Sequence, residues 1–367
     1  SAFVTERKDT GRIYLMNVDH ANTHGSFIED VAPIKQSNLC CEIDLPTKPL
    51  NDINDPDGEI SLCTLSAVNW GVIKDLTEMQ KVCNLAVRGL DELLDYQDYP
   101  VLAAELSTMN RRPLGIGIIN FAYWLVKHDT NYQDPNLELV DEWAEAWSYG
   151  LIKASNELAQ EKGSCPKTME TKYGHGITPN QTYKAEVDEL VKHKERMDWK
   201  GLRKQLKETG IRNSTLMALM PAETSAQISN STNGIEPPRS YVSIKQSKHG
   251  VLKQVVPGYP YYKNKYELLW DQKSPQGYLK IMAVLQKYID QGISVNTSYN
   301  PEHYEDEKVP MSVLINDILM FYKYGGKQLY YNNTHDGQGE IDINKDDADN
   351  QLAITEIDDE DCESCKI

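Results

Sequence analysis

The sequence predicts an α/β fold, because segments with helical apolar spacing alternate along the chain with short extended segments. The 367 residues are enough to bury a sizeable core in one large domain or two ordinary ones. A hydrophobic content of 40% and a charged content of 25% are typical of a globular protein. No internal repeat is visible.

The first strand is expected at 11–17, with no preceding element to pair with it. The turn-rich segment 33–57 places the cysteine at position 40 on a loop or a short strand. Helices are expected at 76–94, 114–127, 137–162, 182–210, 278–291 and 311–324, with Gly163 as the stop of the third. Further strands are expected at 60–65, 213–220, 294–298 and 328–331, with a hairpin at 241–244 and 251–256.

The charge is concentrated at the C-terminal end. The net charge is -17, and residues 335–367 contain twelve Asp or Glu and two Lys, a net -10. This tail is too polar to bury a core, so a globular domain at 1–334 and a disordered tail at 335–367 are predicted. A nucleic-acid binder needs a basic surface, which the composition does not offer. One diphosphate can still be held by a helix N-terminus.

Three features predict a cytoplasmic protein. No apolar run of about 18 residues is present, so no membrane span is predicted. The first residues lack the apolar core of a signal peptide. Seven cysteines, an odd number, in a chain of this size favour reduced thiols over a disulfide framework.

The first candidate site is the segment around Cys40. On an extended segment Cys40 and Glu42 share a face, so the carboxylate could take a hydroxyl proton while the sulfur acts on an adjacent C–H bond. The alternative is an inert buried cysteine beside a surface glutamate. Cys41 is expected to point away and pack. Cys63 is equally consistent with a core cysteine, and it becomes interesting only if it faces Cys40. Cys83 and Cys165 are interpreted as structural, so Cys63 has no evident disulfide partner.

The second candidate is a phosphate site at residues Pro221, Ala222, Glu223, Thr224 and Ser225, where a strand passes into a helix. Backbone N–H groups at a helix start and two hydroxyls suit a phosphate. The alternative is that Thr224 or Ser225 only caps the helix.

The remaining candidates are a pair of phenols and a pair of thiols. Tyr330 and Tyr331 on a strand would put one ring inside and one outside, although stacked phenols could relay a radical. Cys362 and Cys365 stand two residues from the chain end, outside any βαβ context. Two thiols with no matching Cys or His pair do not make a zinc site. A mobile dithiol that swings into a site explains the acidic tether best.

Several motifs in one order resemble the C-terminal half of the large, catalytic subunit of an aerobic, class Ia ribonucleotide reductase. They are Gln36-Ser-Asn-Leu-Cys40, Glu42-Ile-Asp-Leu-Pro-Thr-Lys-Pro-Leu-Asn51, Gly58-Glu-Ile-Ser-Leu-Cys63, Leu94-Asp-Tyr-Gln-Asp-Tyr-Pro100, Pro221-Ala-Glu-Thr-Ser225, Ser231-Thr-Asn-Gly-Ile-Glu-Pro-Pro-Arg239 and Leu329-Tyr-Tyr-Asn-Asn-Thr334. The resemblance implies half of a ten-stranded α/β barrel with a finger loop that carries the radical cysteine. It also implies reduction of ribonucleoside diphosphates to deoxyribonucleoside diphosphates.

The resemblance assigns chemistry to four residues around the thiols. Cys40 would become the thiyl radical that takes the ribose 3′-hydrogen, and Glu42 would deprotonate the 3′-hydroxyl. Asn38 would hydrogen-bond the substrate hydroxyls. Cys63 would be one of two thiols that reduce the 2′-position and end as a disulfide.

The resemblance also implies partners. Residues 221–225 would bind the substrate diphosphate, and Tyr331 and Tyr330 would carry the radical from a di-iron tyrosyl small subunit that docks near 311–324. Cys362 and Cys365 would re-reduce the active-site disulfide and be recharged by thioredoxin or glutaredoxin, although their Cys-x-x-Cys spacing is tight. The chain itself would bind no metal or cofactor.

The family's N-terminal half, with its second redox cysteine and the ATP and dNTP effector sites, has no counterpart in this sequence. We therefore expect a split subunit, in which a separate polypeptide supplies that half, in a bacterial cytoplasm from either a host or a phage gene. The alternatives are a catalytically dead remnant that only binds the small subunit or a redox partner, and a piece cut from a longer subunit.

Overall fold

A computed structural model describes residues 2–247 and 250–336. Its helices are α1 (Ala2–Thr10), α2 (Val18–Thr23), α3 (Leu76–Tyr96), α4 (Leu102–Arg111), α5 (Phe121–Lys127), α6 (Leu137–Lys162), α7 (Trp199–Thr209), α8 (Glu223–Ile228), α9 (Tyr259–Tyr262), α10 (Gln276–Gln286) and α11 (Met311–Lys323). Its strands are β1 (Leu15–Met16), β2 (Leu65–Asn69), β3 (Gly115–Ile119), β4 (Val242–Ser247), β5 (Gly250–Val255), β6 (Thr297–Tyr299), β7 (Gln328–Leu329) and β8 (Asn332–Thr334). The alternation of helices and strands that the sequence predicts is confirmed.

Five extended segments lie side by side and run parallel, in the order in which they occur along the chain. β2 pairs with β3 from Leu65↔Gly115 to Asn69↔Ile119. The segment 216–219 follows, joined to β3 through a parallel bridge at Ile116. Helices connect consecutive segments, as parallel pairing requires.

The same ladder continues through the C-terminal third of the chain. Leu219 bridges Ile293 in parallel, and the Tyr330 N–H donates to the Val295 carbonyl at 2.7 Å. β6 then pairs in parallel with β8. β1 covers the end of the ladder by antiparallel pairing with β7. Within the described residues the ladder stays open and does not close into a barrel.

The main core lies between this ladder and the helices. Four tryptophans form its centre, and their rings pack at tilted or perpendicular angles: Trp70, Trp124, Trp143 and Trp147. α6 is the central helix, and its apolar residues reach α3 on one side and α10 on another. Its bounds match the predicted helix, because Asn136 caps its start and Gly163, with φ +89°, follows its end.

The prediction of a helix at 114–127 is wrong in its first half, where the structure has strand β3. All five residues of β3 are buried, so the segment reads as a continuous apolar run that resembles a buried helix. Gly117 marks the strand, since a Cβ there would lie 2.8 Å from the Met220 sulfur and 2.9 Å from the Ala218 carbonyl oxygen. The neighbouring segment approaches too closely for any side chain.

Several other boundaries also differ from the sequence expectation. The strand expected at 60–65 begins only at Leu65, so Cys63 lies on the loop before β2. The first strand shrinks to β1, and helix α1 precedes it, contrary to the expectation of no earlier element. Only α7 and a short 3-10 helix, Ala185–Glu189, occupy the charged segment 182–210. The hairpin β4–β5 is confirmed. The predicted dithiol of Cys362 and Cys365 lies outside the described residues.

A buried carboxylate holds the middle of the ladder together. Asp290 is 1% exposed, and its oxygens accept the N–H groups of Leu216 and Met217 at 2.8 and 2.9 Å and the Tyr173 hydroxyl at 2.8 Å. Burial raises the pKa of Asp290 to about 6, although these three donors oppose that shift. The side chain thus replaces ladder bonds where the segment 216–219 enters the sheet.

Replacing Asp290 by Ala should lower the free energy of unfolding by roughly 3 kcal/mol, because two buried backbone N–H groups lose their acceptor. Urea denaturation followed by tryptophan fluorescence measures this loss. Asp30→Ala is the matched control, since Asp30 is exposed. Equal stability of the two variants would show that Asp290 does not support the ladder.

Candidate active site

Cys40 stands on a tight turn, which agrees with the loop and not with the short strand of the sequence expectation. The Cys41 N–H donates to the Asn38 carbonyl at 3.1 Å, and Cys41 has φ +58°. The Asn38 side-chain oxygen accepts the N–H groups of Glu42 and Ile43 at 3.0 and 3.1 Å. The turn therefore presents Cys40, while Cys41 is buried at 7% exposure in the packing role expected for it.

This turn is fastened to the parallel ladder. The Gly292 N–H donates to the Glu42 carbonyl at 2.8 Å. The Ser294 hydroxyl donates to the Cys40 carbonyl and lies 3.3 Å from a Glu42 carboxylate oxygen. Cys40 and Glu42 are thus held at one end of the segment 292–294, with Cys40 half-buried and Glu42 only 2% exposed.

Glu42 is buried, so the alternative of an inert cysteine beside a surface glutamate does not hold. Burial raises its pKa to about 7, while hydrogen bonds from Asn38 and Ser294 act in the opposite direction. The nearby Asp44, itself buried with a pKa raised to about 6 by burial, adds to the upward shift. A carboxyl group with a pKa near neutrality can either accept or donate a proton under physiological conditions.

Cys63 faces the same site from the loop before β2. Cys63 is solvent-exposed, so it is not the core cysteine of the alternative. Partial desolvation of its sulfur by the surrounding protein still raises its pKa to about 12, and the negative charges of Glu42 and Cys40 contribute to that shift. The structure therefore brings Cys63 to Cys40, which sequence alone left open. Cys63 forms no disulfide with another described cysteine. Cys83 and Cys165 are fully buried in the main core, as expected for structural thiols.

Tyr330 and Tyr331 do not place their rings on opposite faces, so the sequence-based alternative is wrong. Their ring centroids are 4.2 Å apart with an interplanar angle of 50°. The Tyr330 phenol is hydrogen-bonded to the Cys40 side chain, and burial together with that bond raises its pKa well above the usual range. The chain of contacts from Tyr331 through Tyr330 to the Cys40 sulfur is therefore continuous.

A third phenol, Tyr14, joins this pair, and the sequence analysis missed it. Its ring centroid lies 4.6 Å from that of Tyr330 and 5.3 Å from that of Tyr331. Burial and a hydrogen bond with Tyr331 raise the pKa of Tyr14. Nothing in the sequence around Tyr14 distinguishes it from the other tyrosines, because its neighbours lie more than 300 residues away.

The proposed phosphate segment opens toward the same end of the ladder. Helix α8 begins at Glu223, its N-cap is Ala222, and no side chain caps it. Thr224 and Ser225 lie inside the helix and are exposed, so the alternative that one of them is the N-cap is wrong. The segment follows Leu219, whose carbonyl accepts the Ser294 N–H at 3.0 Å. Ligands of parallel sheets bind beyond the carboxyl ends of strands, where this segment and Cys40 lie.

Two further properties concern the described residues only. No cluster of three or more His, Cys, Asp or Glu side chains is arranged there to hold a metal ion. None of the helices in 2–247 and 250–336 has the length and apolar character needed to span a membrane.

One end of the open parallel ladder therefore carries a cysteine turn, a buried carboxylate and two phenol rings in contact. Residues 1–332 match the family model described as "Ribonucleotide reductase, barrel domain", and the chain belongs to this family.

Curated relatives of this chain support the same family assignment. The chain is 56% identical over 349 residues to the ribonucleoside-diphosphate reductase subunit alpha of Haemophilus influenzae. This match covers 95% of this chain and 46% of the relative. It is 54% identical over 370 residues to the ribonucleoside-diphosphate reductase 1 subunit alpha of Escherichia coli, and that match covers 100% of this chain and 48% of the relative. The subunit alpha of Enterobacteria phage T4 is 44% identical over 371 residues, at 99% and 47% coverage. The chain spans about half the length of these relatives.

The buried Glu42 should make stability depend on pH. Its pKa in the folded state, about 7, exceeds its ordinary value of 4.5, so its contribution to stability is complete below about pH 4.5 and is lost as pH rises through 7. Replacing Glu42 by Gln should therefore stabilise the chain by roughly 2–3 kcal/mol more at about pH 8 than at about pH 5. Urea denaturation at both values measures this difference. The exposed Glu208→Gln is the control, and an equal pH dependence in both variants would show that Glu42 stays ionised.

Proposed function

We propose that this chain reduces ribonucleoside diphosphates by thiyl-radical chemistry, together with a polypeptide that supplies the other half of the subunit and a radical-generating small subunit. The observation that carries the proposal is the hydrogen bond between the Tyr330 phenol and the Cys40 side chain, beside the buried Glu42. It joins a radical-conducting pair to a thiol that can act on carbon.

The radical enters through the phenols. A phenoxyl radical on Tyr331 takes one electron and one proton from Tyr330, and the Tyr330 phenoxyl then takes a hydrogen atom from the Cys40 thiol. The resulting thiyl radical removes the ribose 3′-hydrogen. Glu42, ionised in about half of the molecules near its pKa, accepts the 3′-hydroxyl proton, and Asn38 holds the substrate hydroxyls.

Reduction at the 2′-position needs two electrons and two protons. Cys63 supplies one thiol and the other half of the subunit supplies the second, so that the two sulfurs end as a disulfide while the 2′-oxygen leaves as water. The raised pKa of Cys63 keeps it protonated and ready to give a hydrogen. Cys362 and Cys365 would then reduce the disulfide by thiol exchange and be recharged by thioredoxin or glutaredoxin.

The substrate diphosphate would bind at the start of α8. The first backbone N–H groups of a helix point outward, and no side chain caps those of α8. Residues 221–225 reach the Cys40 turn through Leu219 and Ser294, so a diphosphate there would place the ribose over the thiol.

Two surfaces of the described chain support the proposal that it binds protein partners. The outer side of β2 pairs with no other described strand, and an open strand edge is a template for another polypeptide. We propose that the other half of the subunit adds its strands there and completes a ten-stranded barrel around the finger loop of Cys40. The effectors ATP and dNTP would bind to that half. The small di-iron tyrosyl subunit would dock at α11, where Leu319 is 59% exposed.

Co-purification of the chain from its host, followed by a thiol-dependent reductase assay with CDP, tests the whole proposal. We expect the complementary half and small subunit to be recovered with conversion of CDP to dCDP. Recovery of an assembled but inactive complex would instead identify the chain as a binding module.

Replacing Cys40 by Ser should abolish turnover, because a serine O–H is too strong a bond to yield its hydrogen to a phenoxyl radical. Assembly and melting temperature should stay unchanged, since Cys40 is only half-buried. The dCDP assay and gel filtration of the complex measure both properties. Cys165→Ala is the matched control, and we expect it to stay active. Residual turnover in Cys40→Ser would refute the role of Cys40.

Replacing Thr224 by Val and Ser225 by Ala together should raise KM for CDP by roughly ten- to a hundredfold, because hydrogen bonds to a charged phosphate contribute about 1.5–3 kcal/mol. kcat should change little, since neither hydroxyl reaches the reacting carbon. Steady-state kinetics measure both constants. Ser243→Ala, an exposed change on the hairpin, is the control. An unchanged KM would exclude these hydroxyls from phosphate binding.

A further inference from the structure

The backbone between β7 and β8 departs from a regular strand at the two tyrosines. β7 ends at Leu329, and β8 begins at Asn332. In a continuous strand successive side chains point to opposite faces. The rings of Tyr330 and Tyr331 nevertheless contact each other at 4.2 Å. Other contacts must hold the backbone in this interrupted conformation, because two consecutive tyrosines do not by themselves favour it over a regular strand.

Arg7, on helix α1, reaches this break from the other end of the chain. Its side chain is 1% exposed. One terminal nitrogen donates to the Tyr330 carbonyl at 2.7 Å, and the other lies 3.3 Å from the Tyr331 carbonyl. The rigid fork of a guanidinium suits two neighbouring acceptors, and an ammonium group lacks that geometry.

The amide side of the break is held separately. The Tyr330 N–H donates to the Val295 carbonyl at 2.7 Å, and the Tyr331 N–H donates to the Asn296 side-chain oxygen at 2.9 Å. The Tyr331 carbonyl also accepts the Thr297 N–H at 3.0 Å. Arg7 is thus the side chain that joins the carbonyls of both tyrosines.

The burial of the charged Arg7 side chain is unfavourable in free energy. Its further contacts go to the Thr297 hydroxyl at 3.4 Å and to the Ile13 carbonyl, so these acceptors are uncharged oxygens. Burial lowers its pKa to about 10, which still leaves it protonated at neutral pH. Burying a charged group is unfavourable even when its hydrogen bonds are made. A buried cation at this place therefore needs a role beyond packing.

We propose that Arg7 is a positioning residue for radical transfer, which keeps the two phenol rings in contact by fastening the carbonyls of Tyr330 and Tyr331. This rests on the proposed function. In each step one electron and one proton move: Tyr331–O• and Tyr330–OH become Tyr331–OH and Tyr330–O•, and the Tyr330 radical then takes the hydrogen of Cys40. Both steps need contact between the groups, and Arg7 maintains that contact without touching the reacting atoms.

Two substitutions test Arg7 in the assembled enzyme. Arg7→Lys keeps the charge and loses the fork, and Arg7→Gln keeps an N–H donor and loses the charge. We expect kcat to fall on the order of 10²-fold in both, as for a displacement of about 1 Å in a reacting group, with KM for CDP unchanged. The matched controls are Arg112→Lys and Arg112→Gln, because Arg112 is also buried but pairs with Asp91 and Asp95 on α3.

A spectroscopic readout separates positioning from folding. 3-Fluorotyrosine placed at position 331 reports the contact between the two rings through its fluorine chemical shift, which should move in both Arg7 variants and stay constant in both Arg112 variants. A wild-type kcat and shift in Arg7→Lys would overturn the proposal. Loss of assembly or a melting temperature lowered beyond that of the Arg112 variants would assign Arg7 a structural role and overturn it too. If the wild-type complex itself is inactive, the proposed function fails, while the fluorine shift still decides whether Arg7 holds the two rings in contact.

Discussion

The parallel pairing of the segments 216–219 and 292–294 is the contact on which the site depends. It joins Leu219 to Gly292 and Ser294 through backbone hydrogen bonds. The same two residues hold the Cys40 turn, since Gly292 donates to the Glu42 carbonyl and Ser294 donates to the Cys40 carbonyl. The phosphate segment follows Leu219 directly. One set of ladder contacts therefore fixes the distance between the thiol and the helix start where a phosphate would bind.

Buried charges next to the ladder set the proton affinities of the site. Lys327 is fully buried and contacts the carbonyl of Gln291, and its pKa is lowered to about 8 by burial. Its charge counteracts the upward pKa shifts that burial causes in Asp44 and Asp290. Asp44 in turn raises the pKa of Glu42. Such a network costs stability, so it is expected where a group must titrate near neutrality rather than where a core only needs filling.

The residues with proposed chemical roles lie where regular structure is interrupted. Cys40 stands on a turn that needs a left-handed residue, Cys63 on the loop before β2, and the two tyrosines between β7 and β8. A regular strand would turn one side chain of each neighbouring pair away from the site. Side chains hold these interruptions: Asn38 acts within the cysteine turn, and Ser294 and Arg7 come from distant segments. The paired strands thus keep the site rigid, and the interruptions at their ends orient the side chains with proposed chemical roles.

The sequence by itself determined the family, the alternation of helices and strands, and the long helices α3 and α6, because apolar spacing and caps such as Asn136 are local signals. It also identified Cys40, Glu42 and the Tyr330–Tyr331 pair as candidates. It misjudged β3, where a fully buried strand and a buried helix share the same apolar run. Only the tertiary structure decided that Cys63 faces Cys40, that the two phenol rings are in contact, and that Tyr14 and Arg7 join them. The contact from Arg7 to Tyr330 spans 323 residues, and local spacing carries no information about which distant segments the ladder brings together.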